Sequence, residues 1–134
     1  MKRFKRIYVE ITNACNMQCE FCELSKRALE AMSSERIEEV VTKITNYTDY
    51  IYLHVKGEPL LSPNLKNVLC SSNEHGLQVI ITTNGTLLRE RKDVLKKAKN
   101  IRQINISLHS MNQNKKIINI QGYLKISIKD IDYP

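Results

Sequence analysis

Three cysteines lie close together near the N-terminus, where Cys15, Cys19 and Cys22 form the pattern C-x-x-x-C-x-x-C. Thiolates are soft ligands that suit iron–sulfur clusters or zinc. Three thiolates on one short loop can hold a cluster and leave one metal corner without a protein ligand. The spacing therefore predicts a metal centre with an open position, where chemistry can take place.

Other interpretations of these cysteines are a zinc site, a disulfide with a spare thiol, and packing in a core. Structural zinc normally needs four ligands, and the remaining candidates are scattered through later segments: Cys70, His54, His75 and His109. The basic start of the chain lacks the long apolar stretch of a signal peptide, so we expect a cytoplasmic location, where disulfides rarely persist. A redox cluster is therefore favoured over the other interpretations.

Length and composition fit one ordinary globular domain. The 134 residues are expected to form a single domain, 1–134, that buries about two thirds of its unfolded surface. Hydrophobic residues make up 42% of the chain and charged residues 26%, which excludes a disordered protein. No segment approaches the roughly 18 consecutive apolar residues of a membrane span, so we expect no membrane insertion.

The net charge of +7 comes mainly from two basic clusters, Lys2 to Arg6 and Arg89 to Lys99. Lysine and arginine at helical spacing are usually the solvated face of a helix. The alternative is a landing surface for an acidic partner such as a nucleic acid or an electron-transfer protein. Because no aromatic residues interleave the second cluster, as stacking on single strands requires, the solvated face is favoured.

Strand-like and helical runs alternate along the chain. Strands are predicted at 6–12, 50–55, 78–83 and 103–108, and helices at 33–48, 63–76 and 89–99. Strands separated by helices of this length pair in parallel, so the sequence predicts an α/β fold with about four βα units. The second strand shows little alternation, which is typical of a strand covered on both faces.

The segment after Ser110 is ambiguous. Ile120, Leu124 and Ile128 fit one face of a helix, whereas Leu124, Ile126 and Ile128 alternate as in a strand. Because a helix is due next in the alternation, we predict a helix here.

A short motif lies at the carboxyl end of each predicted strand. After the cysteine motif come Gly57-Glu58-Pro59, then Thr83-Asn84-Gly85, then Ser107-Leu108-His109. In motif, order and spacing the chain resembles the radical S-adenosylmethionine superfamily over nearly its whole length. The cysteine motif is the most specific of these matches, and the others count only in combination. The resemblance implies a parallel-sheet partial (βα) barrel, in which ligands bind at the carboxyl edge of the strands.

The resemblance also implies the cofactors. They are a [4Fe–4S] cluster held by Cys15, Cys19 and Cys22, and S-adenosylmethionine, which chelates the fourth iron. Cleavage of S-adenosylmethionine would give a 5′-deoxyadenosyl radical that abstracts hydrogen from an unknown substrate, with flavodoxin or ferredoxin as the low-potential electron donor. The alternative is a catalytically incomplete cluster-binding or electron-transfer module. Electron-transfer ferredoxins close their clusters with a fourth cysteine, and its absence near Cys22 favours the enzyme.

Further site residues follow from the same resemblance. Phe21 is expected to pack near the adenine, with ordinary loop packing as the alternative. The segment Gly57-Glu58-Pro59 is expected to meet the ammonium of the methionine moiety, because glycine allows close approach and carbonyls with a carboxylate suit a cation. Asn84, Ser107 and His109 hold positions of contacts to the ribose or the methionine carboxylate, although ordinary turn and strand-end roles fit them equally well.

Two further side chains receive structural predictions, and so does the end of the sheet. His54 lies in an apolar run and is predicted to be a hydrogen-bonded core histidine, and Cys70 beside Leu69 is predicted to be a buried free thiol. The family's core has more strands than this chain, so we expect a core that is incomplete at its C-terminus. Its open sheet edge would make the isolated chain poorly soluble unless an oligomer or partner chain covers it.

Overall fold

The structure is a computed structural model that describes residues 4–15, 30–54, 56–107 and the strand 123–126. Its elements, in chain order, are β1 (Ile7–Tyr8), α1 (Ser34–Ile44), β2 (Tyr50–Leu53), a 3-10 turn (Pro59–Leu61), α2 (Leu65–Glu74), β3 (Gln78–Thr83), α3 (Lys92–Lys97), β4 (Ile101–Ser107) and β5 (Tyr123–Ile126). In these ranges no helix has the length and apolar character needed to cross a bilayer.

The five strands form one sheet in the order β1-β2-β3-β4-β5, and the first four strands are parallel. Leu53 lies opposite Ile81, and Thr83 lies opposite Ile106, so the strands end close to one another. The carboxyl ends of the four parallel strands therefore meet at one edge of the sheet, as predicted.

The helix predicted after Ser110 is wrong at residues 123–126, which form β5, antiparallel to β4. The period-two alternation of Leu124 and Ile126 was the correct signal. A strand here supplies hydrogen-bonding partners to the outer edge of β4, from Ile104 to Ser107, which a helix would not do. The outer edge of β4, which the sequence analysis predicted to be open, is therefore paired with β5 from Ile104 to Ser107.

The helices pack on one face of the sheet. The core joins side chains from both layers: Ile37, Val41, Ile51, Leu53, Leu65, Val68, Val79, Ile81, Leu95, Ile104 and Ile106. On β2 the alternate residues Tyr50 and Tyr52 are only half-buried, so the prediction of a strand covered on both faces is wrong. Aromatic rings at these positions hid an alternation that the burial pattern shows clearly.

Most element ends agree with the sequence signals. The Ser33 hydroxyl caps α1 by accepting a hydrogen bond from the Arg36 amide at 3.1 Å. Gly76 follows α2 with φ of +76°, the left-handed conformation that glycine adopts most easily. The three helices and the strands β1 and β2 are shorter than predicted.

One residue of the second basic cluster, Arg91, has a structural role. Its Nε donates a hydrogen bond to the Leu60 carbonyl at 2.8 Å, and a terminal nitrogen donates to the Ser62 carbonyl at 3.2 Å. These bonds fasten the start of α3 to the 3-10 turn. Lys96 and Lys97 are exposed, as a solvated helix face requires.

Candidate functional site

The two ends of the cysteine loop lie side by side, and the residues that pair there, Thr12 and Asn13 with Glu30 and Ala31, are called the neck of the loop. Thr12 and Ala31 form an isolated antiparallel bridge. Next to them the Asn13 amide donates to the Glu30 carbonyl at 3.1 Å, and the Glu30 amide donates to Asn13 Oδ1 at 2.7 Å. The Thr12 hydroxyl donates to the same Glu30 carbonyl at 3.0 Å. Hydrogen bonds within the protein therefore hold the two ends of the cysteine loop together.

Cys15 lies just beyond this neck. Its thiol is free and half-buried, so it is neither in a disulfide nor sealed in the core. The preceding Ala14 is fixed by its amide, which donates to the Thr12 hydroxyl at 3.2 Å. A free, partly accessible thiolate is a suitable soft ligand for iron. Cys19, Cys22 and Phe21 lie outside the described residues, so their roles remain predictions.

Gly57 packs directly against the root of the cysteine loop. A Cβ atom at this position would lie 1.9 Å from the Thr12 carbonyl oxygen and 2.8 Å from the Asn13 Cα atom. The next residue strengthens this contact, because the Glu58 amide donates to the Ala14 carbonyl at 2.7 Å. We expected a glycine here for close approach to a ligand, and the structure adds a second reason, which is close approach of two backbones.

The Glu58 carboxylate joins the segment after β2 to the end of β3. Its side chain is buried, and Oε1 accepts hydrogen bonds from the Leu60 amide and the Thr83 hydroxyl. Oε2 accepts a hydrogen bond from the Asn84 amide at 2.8 Å. A buried carboxylate needs such partners, and here they come from the chain itself. Glu58 therefore acts as a cross-link within the site, and its predicted contact with an ammonium group is not tested by these bonds.

The electrostatics of Glu58 follow from this environment. Burial raises the pKa of the Glu58 carboxyl group above its ordinary value. Hydrogen bonds from the Asn84 amide, the Thr83 hydroxyl and the Leu60 amide favour the ionised form and oppose this shift. Desolvation has the larger effect, so Glu58 holds a proton more readily than an exposed glutamate.

Asn84 sits in a tight turn at the end of β3. Its Oδ1 accepts hydrogen bonds from the Thr86 amide at 3.0 Å and the Thr86 hydroxyl at 2.8 Å. Gly85, with φ of +82°, allows the turn, and its amide donates to the Thr83 hydroxyl at 3.1 Å. Asn84 is consequently buried and held in one orientation beside Glu58.

The other predicted site residues are less closely connected. Pro59 is buried and begins the 3-10 turn, where the Glu58 side chain caps it. Ser107 is half-buried at the end of β4, one residue beyond the pair formed by Ile106 and Thr83. His109 lies outside the described residues. The structure thus brings Cys15, Gly57, Glu58 and Asn84 together through shared contacts, and it places Ser107 at the same edge.

Sequence reasoning gave no role to three residues that build this edge, namely Thr12, Asn13 and Thr83. Thr12 and Asn13 lie two to three residues before the cysteine motif, and Thr83 begins the Thr-Asn-Gly motif. Short polar side chains at a strand end commonly bond to nearby backbone. That signal was available in the sequence. Glu30 had no comparable signal, because its contacts with Asn13 span 17 residues.

Two predictions outside the motifs are wrong. His54 is half-buried, its ring makes no hydrogen bond within the described ranges, and burial lowers its pKa. Its ring centroid lies 6.5 Å from that of Tyr8, so aromatic contact takes the place of the expected hydrogen bond. Cys70 is exposed, because α2 turns Val68 and Leu69 towards the core and leaves Cys70 outside.

A sequence model of the radical SAM superfamily matches residues 9–132, which is nearly the whole chain. The chain belongs to the radical SAM superfamily. The cofactors of that superfamily are a [4Fe–4S] cluster and S-adenosylmethionine, as the resemblance predicted. Membership agrees with the meeting of the Gly-Glu-Pro segment, the β3 turn and the root of the cysteine loop at one edge.

Among curated proteins, the chain is similar to a GTP 3′,8-cyclase of Aquifex aeolicus. The two are 33% identical over 127 residues, which is 86% of this chain and 39% of the Aquifex protein. The chain therefore spans well under half the length of this relative.

Solved structures of a protein named BtrN support the fold. BtrN in an open conformation has a TM-score of 0.66 and 28% identity, covering 87% of this chain and 56% of BtrN. BtrN in complex with AdoMet and 2-DOIA has a TM-score of 0.61 and 27% identity, covering 78% of this chain and 46% of BtrN. These similarities confirm the predicted α/β partial barrel.

Proposed function

We propose that this chain forms the cluster-binding and S-adenosylmethionine-binding core of a radical SAM enzyme with an unidentified substrate. The observation that carries this proposal is the set of contacts around Glu58. Its amide bonds to Ala14, next to Cys15, and its carboxylate bonds to Thr83 and Asn84. The cysteine loop and the polar turn after β3 are thereby held in fixed relation at the carboxyl edge, where ligands of parallel α/β folds bind.

In this proposal Cys15, Cys19 and Cys22 hold the cluster, and the fit rests on the free, partly exposed thiol of Cys15. The chemistry that the cluster supplies when bound is one-electron reductive cleavage of the sulfonium, which gives methionine and the 5′-deoxyadenosyl radical. The segment Gly57-Glu58-Pro59 and Asn84 border the binding space for S-adenosylmethionine. Phe21, Ser107 and His109 are assigned to its outer contacts.

The substrate and the partners belong to the same proposal. Residues 1–134 act as one radical SAM core domain, which corresponds to 39% of the length of the Aquifex relative. The name of the Aquifex relative makes GTP the first substrate to test. A flavodoxin or ferredoxin supplies the electron. An oligomer or partner chain covers the open edge of the sheet, and light scattering on the purified protein tests this assembly.

The direct test is anaerobic reconstitution with iron and sulfide, followed by analysis of metal content and products. We expect about four irons per chain and formation of 5′-deoxyadenosine when dithionite and S-adenosylmethionine are added. Cys19→Ala should abolish [4Fe–4S] assembly. Cys70→Ala is the matched control, since Cys70 is exposed on α2 and lies outside the motif, and it should leave assembly intact.

The outcomes separate the two candidate functions. A four-iron cluster without any 5′-deoxyadenosine would support the cluster-binding or electron-transfer module. A colourless protein that binds only zinc would contradict both. Equal loss of iron in Cys19→Ala and Cys70→Ala would overturn the ligand assignment.

A further inference from the structure

A cavity of about 310 Å³ lies between α2 and α3. Its wall is formed by residues of α2 and by the stretch 93–100, and it includes Lys66, Leu69, Val94 and Lys97. Among the described residues, neither Cys15 nor the segment Gly57-Glu58-Pro59 contributes to its wall. The cavity is therefore distinct from the described part of the proposed radical site.

The helices explain why this cavity exists. Lys66, Leu69, Cys70 and Asn73 follow a spacing of three, four and seven residues, so they form one stripe along α2. The opposite wall comes from α3, which has only six residues and ends at the extended Ala98. The short helix leaves the α2 stripe without a full helical partner. The apolar side chains of Leu69, Val94 and Ala98 consequently line open space.

The rim of the cavity is basic. Lys66, Lys97 and Lys99 line it together with a single carboxylate, Asp93. The three lysines are exposed, and none of them forms an ion pair with another residue in the described ranges. The three lysine ammonium groups would attract an anionic group bound at this rim.

Asn100 supplies an independent sign of a missing partner. Its side chain is 4% exposed, and Nδ2 donates a hydrogen bond to the Leu77 carbonyl at 2.9 Å. Its Oδ1 is buried and accepts no hydrogen bond from the part of the chain that the structure describes. Buried side-chain oxygens almost always have a partner. Because Asn100 belongs to the cavity wall, a bound molecule with an N–H or O–H group can supply the missing partner once the side chain adjusts.

We propose that this cavity binds a small amphipathic anion that also carries a hydrogen-bond donor. Its apolar body packs against Leu69 and Val94, its anionic group meets Lys66 and Lys97, and its donor reaches Asn100. The volume is at the lower end of the range for small-molecule sites, which suits a compact molecule rather than a partner helix. This proposal is independent of the cluster chemistry.

Anilinonaphthalene sulfonate is a suitable probe, because it combines an apolar ring system, a sulfonate and an N–H donor. We expect saturable fluorescence enhancement with one probe bound per chain. Cys70 provides a second readout within the cavity wall. Bound probe should slow the alkylation of Cys70 by N-ethylmaleimide. Mass spectrometry of the α2 peptide measures the extent of alkylation. Neither readout needs an active enzyme, so failure here is distinguishable from failure of the proposed function.

Substitutions test whether the probe binds in this cavity. Lys97→Glu should weaken the probe about fivefold, by reversing one charge at the rim. Val94→Trp should abolish binding by filling the cavity. Lys96→Glu is the matched control, since it makes the same charge change on α3 outside the cavity, and it should bind the probe as the parent does. Equal affinity in all three variants, many probes per chain, or unchanged alkylation of Cys70 would each overturn the proposal.

Discussion

The carboxyl edge of the sheet and the helix-covered core are ordered by different forces. The core is held by apolar side chains such as Ile51, Ile81 and Leu95, which are fully buried and make non-directional contacts. The edge is held by a backbone contact at Gly57 and by directional hydrogen bonds to Glu58. Substitutions in the core should therefore lower the stability of the fold alone. Substitutions at the edge should also displace the site atoms, so the effects in the two regions are separable.

The largest expected loss of stability comes from the core. Ile81→Ala removes a fully buried side chain from β3, and it should lower the free energy of unfolding by about 4 kcal/mol. Urea denaturation measures this loss. The protein that remains folded should still assemble its cluster normally. A cluster defect in folded Ile81→Ala would contradict the separation of the two regions.

Gly57→Ala tests the edge. The added methyl group would overlap the Thr12 carbonyl, and backbone must move to make room, so we expect a loss of about 3 kcal/mol together with impaired cluster assembly. Gly76→Ala is the matched control. Gly76 has a positive φ but open space around it, so its substitution should destabilise the fold by about 1 kcal/mol and leave assembly unchanged. Equal assembly defects in the two variants would mean that general destabilisation is the cause.

Glu58→Gln tests the polar cross-link. An amide provides one acceptor oxygen in place of two, so a buried donor at Asn84, Thr83 or Leu60 loses its partner. Relief of charge desolvation offsets part of this loss, and the net destabilisation should be about 1.5 kcal/mol. The affinity of the folded protein for S-adenosylmethionine should also fall, by more than the loss of folded protein accounts for. Unchanged affinity, measured by equilibrium dialysis, would remove Glu58 from the site.

The pH dependence of stability gives the sign of the Glu58 shift. Burial raises the folded pKa of Glu58 above the ordinary value of 4.5, so the native state binds this proton more tightly than the unfolded state. Protonation of Glu58 therefore stabilises the fold. This contribution is complete at pH values below the ordinary pKa of 4.5, and it is lost as the pH rises through the raised pKa of the folded state. The stability difference between the parent and Glu58→Gln should therefore be greatest at the acidic end and become constant above that window. A difference that grows with rising pH would contradict the assignment.

The smallest effect is expected at the neck of the cysteine loop. Asn13→Ala removes the acceptor for the Glu30 amide and should destabilise the fold by about 1 kcal/mol. Cluster assembly should also slow, because the loop ends are held less firmly. Asn67→Ala on the exposed side of α2 is the control and should assemble at the parent rate. Assembly is followed by visible absorbance, and identical rates would show that the neck has no part in it.

Much of this fold was predictable from local patterns. The bounds of β3 were correct, and Ser33 and Gly76 marked helix ends, because caps and turns depend on a few neighbouring residues. The segment at 123–126 was predicted incorrectly. Its period-two and helical patterns overlapped, and the choice depended on the outer edge of β4, which lies more than 15 residues away in sequence.

The motifs predicted which residues meet at the carboxyl edge, but they did not give the contacts among them. The resemblance predicts that Gly57, Glu58 and Asn84 face a ligand. The structure shows that Glu58 bonds to the Asn84 amide and to Ala14, at the root of the cysteine loop. The Gly57 contact with Thr12 depends on how two strands lie side by side. Such an approach of backbones has no local signature, so it requires the three-dimensional structure.

The most direct test of the central claim is the electron paramagnetic resonance spectrum of the anaerobically reconstituted, reduced protein, recorded with and without S-adenosylmethionine. If the carboxyl edge holds a cluster with an open iron beside the Glu58 network, the signal should shift when S-adenosylmethionine is added. A cluster signal that is identical in the two spectra would contradict the claim.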